Sequence, residues 1–173
     1  TGKTLIGSNE FYIVGPKSDP ANIASAESAA DAYQRIAKAG APFVSRGDNS
    51  GTHQKEMQVW QKAGVQPAGA WYIVTKDFMT ASLKRANAEK AYFMSDSSTW
   101  IMEKGVAPDL AILFRGDKFL VNTYHALTAP PGATPGRDTA EKFVAFVASP
   151  AAQKIIADYG RHPFGQGVSH AEP

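Results

Sequence analysis

The chain has no cysteine among its 173 residues. Disulfide staples, thiol catalysis and thiolate metal sites are excluded with it. No run of about 18 apolar residues occurs, so no segment reads as a membrane-spanning helix. Charge of one sign is also scarce: 18 Lys and Arg face 16 Asp and Glu, for a net charge of +2. That is too little to argue for nucleic acid, and no basic run with interleaved aromatics marks a strand-tracking groove. Catalytic signatures are missing as well. There is no Gly-x-Ser-x-Gly elbow, no Walker A loop, no dinucleotide fingerprint and no His-Glu-x-x-His. His53, His125, His162 and His170 share no ligand spacing. The expectation is a protein that is not an enzyme, holds no cofactor or metal and does not bind nucleic acid. The apolar share of 43% is enough for a real core.

The informative stretch runs from Phe43 to Trp60. Phe43 and Val44 read as a strand end, Ser45 to Gly51 as a polar turn, and helical spacing starts near Thr52, with Met57 and Trp60 three apart. A strand, a tight loop and a helix N-terminus expose unpaired N–H groups and the positive end of a helix dipole. Within nine residues this junction carries the hydroxyls of Ser45, Ser50 and Thr52, the Arg46 guanidinium and the His53 imidazole. A small oxyanion suits such a place. The same residue types are ordinary loop and cap formers, and Ser50 or Thr52 could serve simply as an N-cap. Gly47 and Gly51 fall where a backbone must turn or approach a ligand. The Arg-Gly-Asp triplet recurs at Arg115-Gly116-Asp117 and is too short to argue for an adhesion ligand.

In chain order, Asn9 to Gly15 reads as a strand buried on both faces, since Phe11 to Val14 are continuously apolar. A helix is expected over Ala24 to Lys38 and a strand over Ala41 to Ser45, forming a right-handed crossover unit with the polar loop at its carboxyl end. The helix from Thr52 stops at Gly64. Trp71 to Ile73 is a strand or a cleft wall, and Asp77 to about Ala88 is helical. Ala91 to Met94 reads as a buried strand. It leads into a second polar loop, Ser95 to Thr99, that opens a short helix. Asp109 to Phe114 is a further strand, and Phe119 to Leu127 an extended return. Thr128 to Gly136 is a Pro/Gly linker before two helices, over Asp138 to Ala148 and Ala151 to Tyr159. The rest reads as tail. The expected fold is α/β: a mixed central sheet of about five strands flanked by helices. Both polar loops should lie at one edge. Asp48 and Asp96 are expected to cap helices, accept from loop N–H groups or hold Arg46.

Ser45-Arg46-Gly47-Asp48-x-Ser50-Gly51-Thr52-His53, with Lys55-Glu56 and Trp60, resembles the signature loop of tungstate-binding proteins, the extracytoplasmic receptors of tungstate ABC importers. Phe11 to Ala21, Tyr92 to Thr99, Asp109 to Tyr124 and Ser149 to Gly160 resemble further segments of that family. The resemblance implies a type II periplasmic-binding-protein-like lobe. It also implies a tetrahedral oxyanion ligand (tungstate or molybdate), a membrane permease as partner and a periplasmic or extracytoplasmic location. Ser45, Arg46, Ser50, Gly51 and Thr52 match its anion loop, with Asp48, His53, Asp96 and Thr99 as support. Residues 1–127 would be the second-lobe domain with its crossing strands, and 128–173 helices that return to the first lobe, plus tail. The family's first-lobe loop has no counterpart here. The chain is therefore expected to be a fragment, a split protein or a degenerate relative, with self-association or a missing first lobe covering its apolar surface. Ser97-Ser98 and Arg115 depart from the family pattern. The alternatives are a receptor for phosphate or sulfate, and a non-catalytic interaction or regulatory domain that keeps the fold.

Overall fold

The computed structural model describes residues 2–161 and 167. The expected tail, with His162 and His170, lies outside the described residues apart from Arg161 and Gly167. The chain divides into two compact units, residues 10–120 and residues 1–9 with 121–173.

The larger unit is built on one mixed sheet. Its strands are β1 (Gly2–Pro16), shared with the smaller unit, β2 (Phe43–Ser45), β3 (Tyr72–Val74), β4 (Tyr92–Asp96) and β5 (Leu110–Phe114), in the order β3-β2-β4-β1-β5. The helices are α1 (Ala29–Ala39), α2 (Gly51–Ala63), α3 (Met79–Ala88) and α4 (Ser97–Glu103). Side chains alternate across the strands and feed two cores. Phe11, Ile13, Phe43, Tyr92 and Met94 pack with Tyr33, Ile36, Val59 and Trp60 of α1 and α2. Tyr12, Val14, Val44 and Phe93 pack with Leu83, Ala86 and Trp100 of α3 and α4. This two-sided burial explains why these strands are apolar without interruption.

The sheet is the expected α/β architecture, but one connection differs. β2 runs parallel to both β3 and β4, whereas β1 is antiparallel to β4 and is separated from β2 by it. The β1-α1-β2 segment is therefore not a parallel crossover unit. The parallel units are β2-α2-β3 and β3-α3-β4. The loop after β2 still lies at a carboxyl edge, and that edge is shared with β4 because Phe43 and Val44 pair in parallel with Tyr92 and Phe93.

The helix expected from Ala24 starts later. The Asp19 carboxylate takes the N–H groups of Ile23 and Ala24 at 3.0 and 2.9 Å, winding a separate 3₁₀ turn. Ser28 then caps α1 by accepting from Asp31 N–H at 3.0 Å. β1 also begins well before Asn9, through Gly2 to Ser8, where two glycines and three polar residues leave only Leu5 and Ile6 as apolar signal.

The smaller unit contains β6 (Val121–Thr128), which pairs with β1, and the helices α5 (Arg137–Val147) and α6 (Pro150–Asp158). Ser149 caps α6 with Pro150 at its first position. α5 buries none of its residues: Phe143 is 65% exposed and Phe146 55%. Among the described residues no helix is long and apolar enough to cross a membrane.

Candidate functional site

Ser45 ends β2 and is fully buried. Its carbonyl accepts from the N–H and hydroxyl of Thr75, at 3.0 and 3.2 Å, so the strand end is pinned to the segment after β3. The chain then turns at Gly47, with φ 59°. A Cβ there would sit 2.2 Å from a methyl carbon of Val74, so glycine is required by backbone conformation and by space. Gly51, by contrast, is an ordinary helical residue with open space where its Cβ would be. Of the turn or close ligand approach expected at these two glycines, the turn is found at Gly47.

The loop is laced by its own side chains. Asp48 Oδ2 pairs with Arg46 Nη2 at 2.5 Å, and Asp48 Oδ1 accepts from Ser50 N–H at 3.1 Å. His53 turns back along the helix, its Nδ1 accepting from Asn49 N–H at 3.0 Å. Asn49 itself has φ 59°, a conformation asparagine tolerates. Ser50 is the N-cap of α2, accepting from His53 N–H at 3.3 Å. Desolvation pushes the Asp48 carboxyl up, but the Ser50 hydroxyl and N–H and the Arg46 guanidinium outweigh it and hold the group below its ordinary value. Asp48 is thus an anion committed to the loop itself.

What this leaves is a set of donors. Gly51 and Thr52 are the first two helical residues, and their N–H groups precede any intrahelical bond. The Ser50 hydroxyl accepts at the cap and gives its proton to the Asp48 carboxylate, so it organises these donors rather than adding to them. Arg46 is 13% exposed, and its Nε is buried with no hydrogen-bond partner among the described residues. A buried guanidinium N–H without an acceptor is costly and readily satisfied by an anion.

Ser45 departs from the donor set expected of it. Its hydroxyl donates to Glu56 Oε2 at 2.8 Å, inside the protein. Asp96 and Thr99 stand at the same sheet edge, at the end of β4 and the start of α4. There Asp96 Oδ2 accepts from Thr99 N–H at 2.9 Å and caps the helix. The expected second loop is no loop: the strand runs to Asp96 and the helix starts at Ser97.

Glu56 is the residue that the anion reading of the loop left without a role. It is 2% exposed and accepts from Ser45 Oγ, from Trp60 Nε1 at 3.1 Å and from Tyr72 Oη at 2.7 Å. Burial raises its carboxyl to about 7 against the pull of those three hydrogen bonds. The available signal was spacing: Glu56, Val59, Trp60 and Ala63 form the buried face of α2, and Met57 is 41% exposed. Among the described residues no group of three or more His, Cys, Asp or Glu could hold a metal ion.

The donor-rich loop thus lies at the carboxyl edge shared by β2 and β4, the edge at which open α/β sheets bind ligands. Residues 2–151 match the family of the PBP superfamily domain, and the chain belongs to that family. Among solved structures, the tungstate-binding protein TupA of Desulfovibrio alaskensis G20 is 36% identical with a TM-score of 0.85, covering 99% of this chain and 70% of its own. The tungstate ABC transporter structure from Geobacter sulfurreducens is 42% identical with a TM-score of 0.79, covering 92% of this chain and 68% of its own. The tungstate-binding protein TupA of Peptoclostridium acidaminophilum is 31% identical over 161 residues, which are 91% of this chain and 56% of that protein. The chain spans 46 to 60% of the length of the curated relatives it matches.

Proposed function

We propose that this chain binds a tetrahedral oxyanion, tungstate or molybdate, at the junction of β2 and α2, as the solute-receptor component of an ABC importer. The observation that carries the reading is the buried, unpartnered Nε of Arg46 beside a helix N-terminus whose first two N–H groups precede any intrahelical bond. Arg46 supplies the charge, Gly51 and Thr52 supply fixed donors, and Ser50 caps the helix and donates to Asp48. Ser45 serves from behind by holding the strand end, Asp48 and His53 shape the loop, and Asp96 with Thr99 form the neighbouring wall. The relatives named for tungstate support the choice of ligand.

Asp48 bears on selectivity. Both its oxygens are engaged, by Arg46 and by Ser50 N–H, so Asp48 is turned to the loop itself and not to the ligand. A shell made of donors suits a fully deprotonated dianion better than hydrogen phosphate. Tungstate and sulfate carry the same charge, so the spacing of rigid donors must tell them apart. The role is binding rather than catalysis, the location extracytoplasmic, and the further partner a membrane permease. A second part of the receptor, outside this chain, would complete the shell and exclude water.

Calorimetry of the chain with tungstate, molybdate, sulfate and phosphate tests the reading. Tungstate and molybdate should bind more tightly than sulfate, and phosphate most weakly. Tighter binding of phosphate or sulfate would move the chain to a different class of receptor. No heat with any of the four would favour an interaction or regulatory domain that retains the fold.

A further inference from the structure

Among the described residues no other Asp, Glu, Lys or Arg is as enclosed as Glu56, at 2% exposure. It joins three elements: Ser45 at the end of β2, Trp60 one turn along α2, and Tyr72 on β3. Ser45 is the residue before Arg46, and its carbonyl is fixed independently by Thr75. The direction in which the chain leaves β2 is therefore set on one side by Thr75 and on the other by the Glu56 carboxyl. Resting on the oxyanion reading above, we propose that Glu56 is the positioning residue of the anion loop: it fixes the point from which Arg46 departs, and its charge is coupled to that of the bound anion.

The coupling follows from what surrounds the carboxyl. No salt bridge reaches it among the described residues. The titratable groups that face it are Asp48 from the loop, Tyr72 from β3 and Tyr33 from α1, whose hydroxyl is buried without a partner. None of these brings a compensating positive charge. Burial first, with Asp48 adding to it, raises the Glu56 carboxyl to about 7. Asp48 is held low and both tyrosines are pushed up, so these three stay in one form through neutral pH while Glu56 changes. A dianion at the end of α2 disfavours the ionised carboxylate, so binding favours the protonated form and takes up a proton. Affinity then falls as pH rises through about 7.

The test is calorimetric titration of sodium tungstate into the whole chain between about pH 6 and pH 8, in two buffers of different ionisation enthalpy. Tungstate keeps one charge state over that range. The wild type should lose roughly three- to tenfold in affinity across it and take up a fraction of a proton on binding. Glu56→Gln keeps the size of the side chain and retains His53 in the loop, so the difference between the two profiles isolates the carboxyl; the variant should lose less affinity across the range and take up less proton than the wild type. Tyr72→Phe removes a hydrogen bond that holds the Glu56 carboxyl down, so the fall should move to higher pH. This variant also carries the test if Glu56→Gln does not fold. A wild type and Glu56→Gln with the same affinity and pH profile would overturn the proposal. So would a uniform loss in Glu56→Gln beside a flat wild-type profile, which would mark a purely structural role. A wild type that binds no tungstate at any pH removes the oxyanion reading itself, and this inference with it.

Discussion

Arg46 and Asp48 show how a single ion pair can serve a binding loop. An exposed pair contributes little to stability. Here Asp48 also accepts from Ser50 N–H, so the carboxylate ties the guanidinium to the helix entrance and narrows the orientations Arg46 must give up on binding. Hydrogen bonds to charged groups contribute roughly 1.5–3 kcal/mol each. Arg46→Ala should therefore weaken oxyanion binding by at least about tenfold, and Thr52→Val by less, read by calorimetry with the fold checked by circular dichroism. Gly47 is a different case, because it carries no chemistry. Its φ of 59° and its approach to Val74 predict that Gly47→Ala lowers stability. A loss of about 1–3 kcal/mol is expected in denaturant unfolding. An unchanged midpoint would mean the loop can move away from β3. Much of this loop was legible as residues. Cap, turn and anion-binding chemistry draw on the same side chains, so spacing could name Ser45 and Ser50 without dividing their tasks. The division depended on a partner eleven positions from Ser45, Glu56.

α2 links the loop to the core. Its N-terminus faces the loop and its inner face carries Glu56, Val59, Trp60 and Ala63. Reading Met57 as inward is natural for an apolar residue three before Trp60, yet Met57 is exposed and the carboxyl takes the inward slot. The reason is that three donors from β2, α2 and β3 converge where the carboxyl lies, and convergence across strands leaves no trace in local periodicity. The Glu56 carboxyl is raised from 4.5 to about 7 on folding. The folded state thus holds a proton that the unfolded state releases. Its contribution to stability is fully present below about pH 4.5 and is lost as pH rises to about 7. A loss on the order of 3 kcal/mol over that window is expected from this group. Urea unfolding at pH 4.5 and pH 7.5 should show the difference in the wild type and a much smaller one in Glu56→Gln. Equal slopes in both proteins would assign the pH dependence to other groups.

At the scale of the whole chain, the sheet was legible wherever strands are apolar on both faces, as Phe11 to Val14 and Tyr92 to Met94 are. The antiparallel direction of β1 was not, because strand direction is set by pairing partners distant in sequence. In the smaller unit Tyr124, Leu127, Phe143, Phe146, Ile155 and Tyr159 are all exposed. Surfaces of that kind call for a cover. The chain should self-associate with rising concentration in sedimentation velocity, and Phe143→Ser with Phe146→Ser should reduce the association. A monomer at all concentrations would show that this surface tolerates water. The central claim concerns the loop, and it is tested most directly by locating the ligand. Crystals soaked in tungstate and measured at a tungsten absorption edge should show an anomalous peak beside Arg46. Its oxygens should lie at hydrogen-bond distance, about 2.7–3.2 Å, from the guanidinium and from the N–H groups of Gly51 and Thr52. An ordered tungsten peak elsewhere, with this loop empty, would contradict the account.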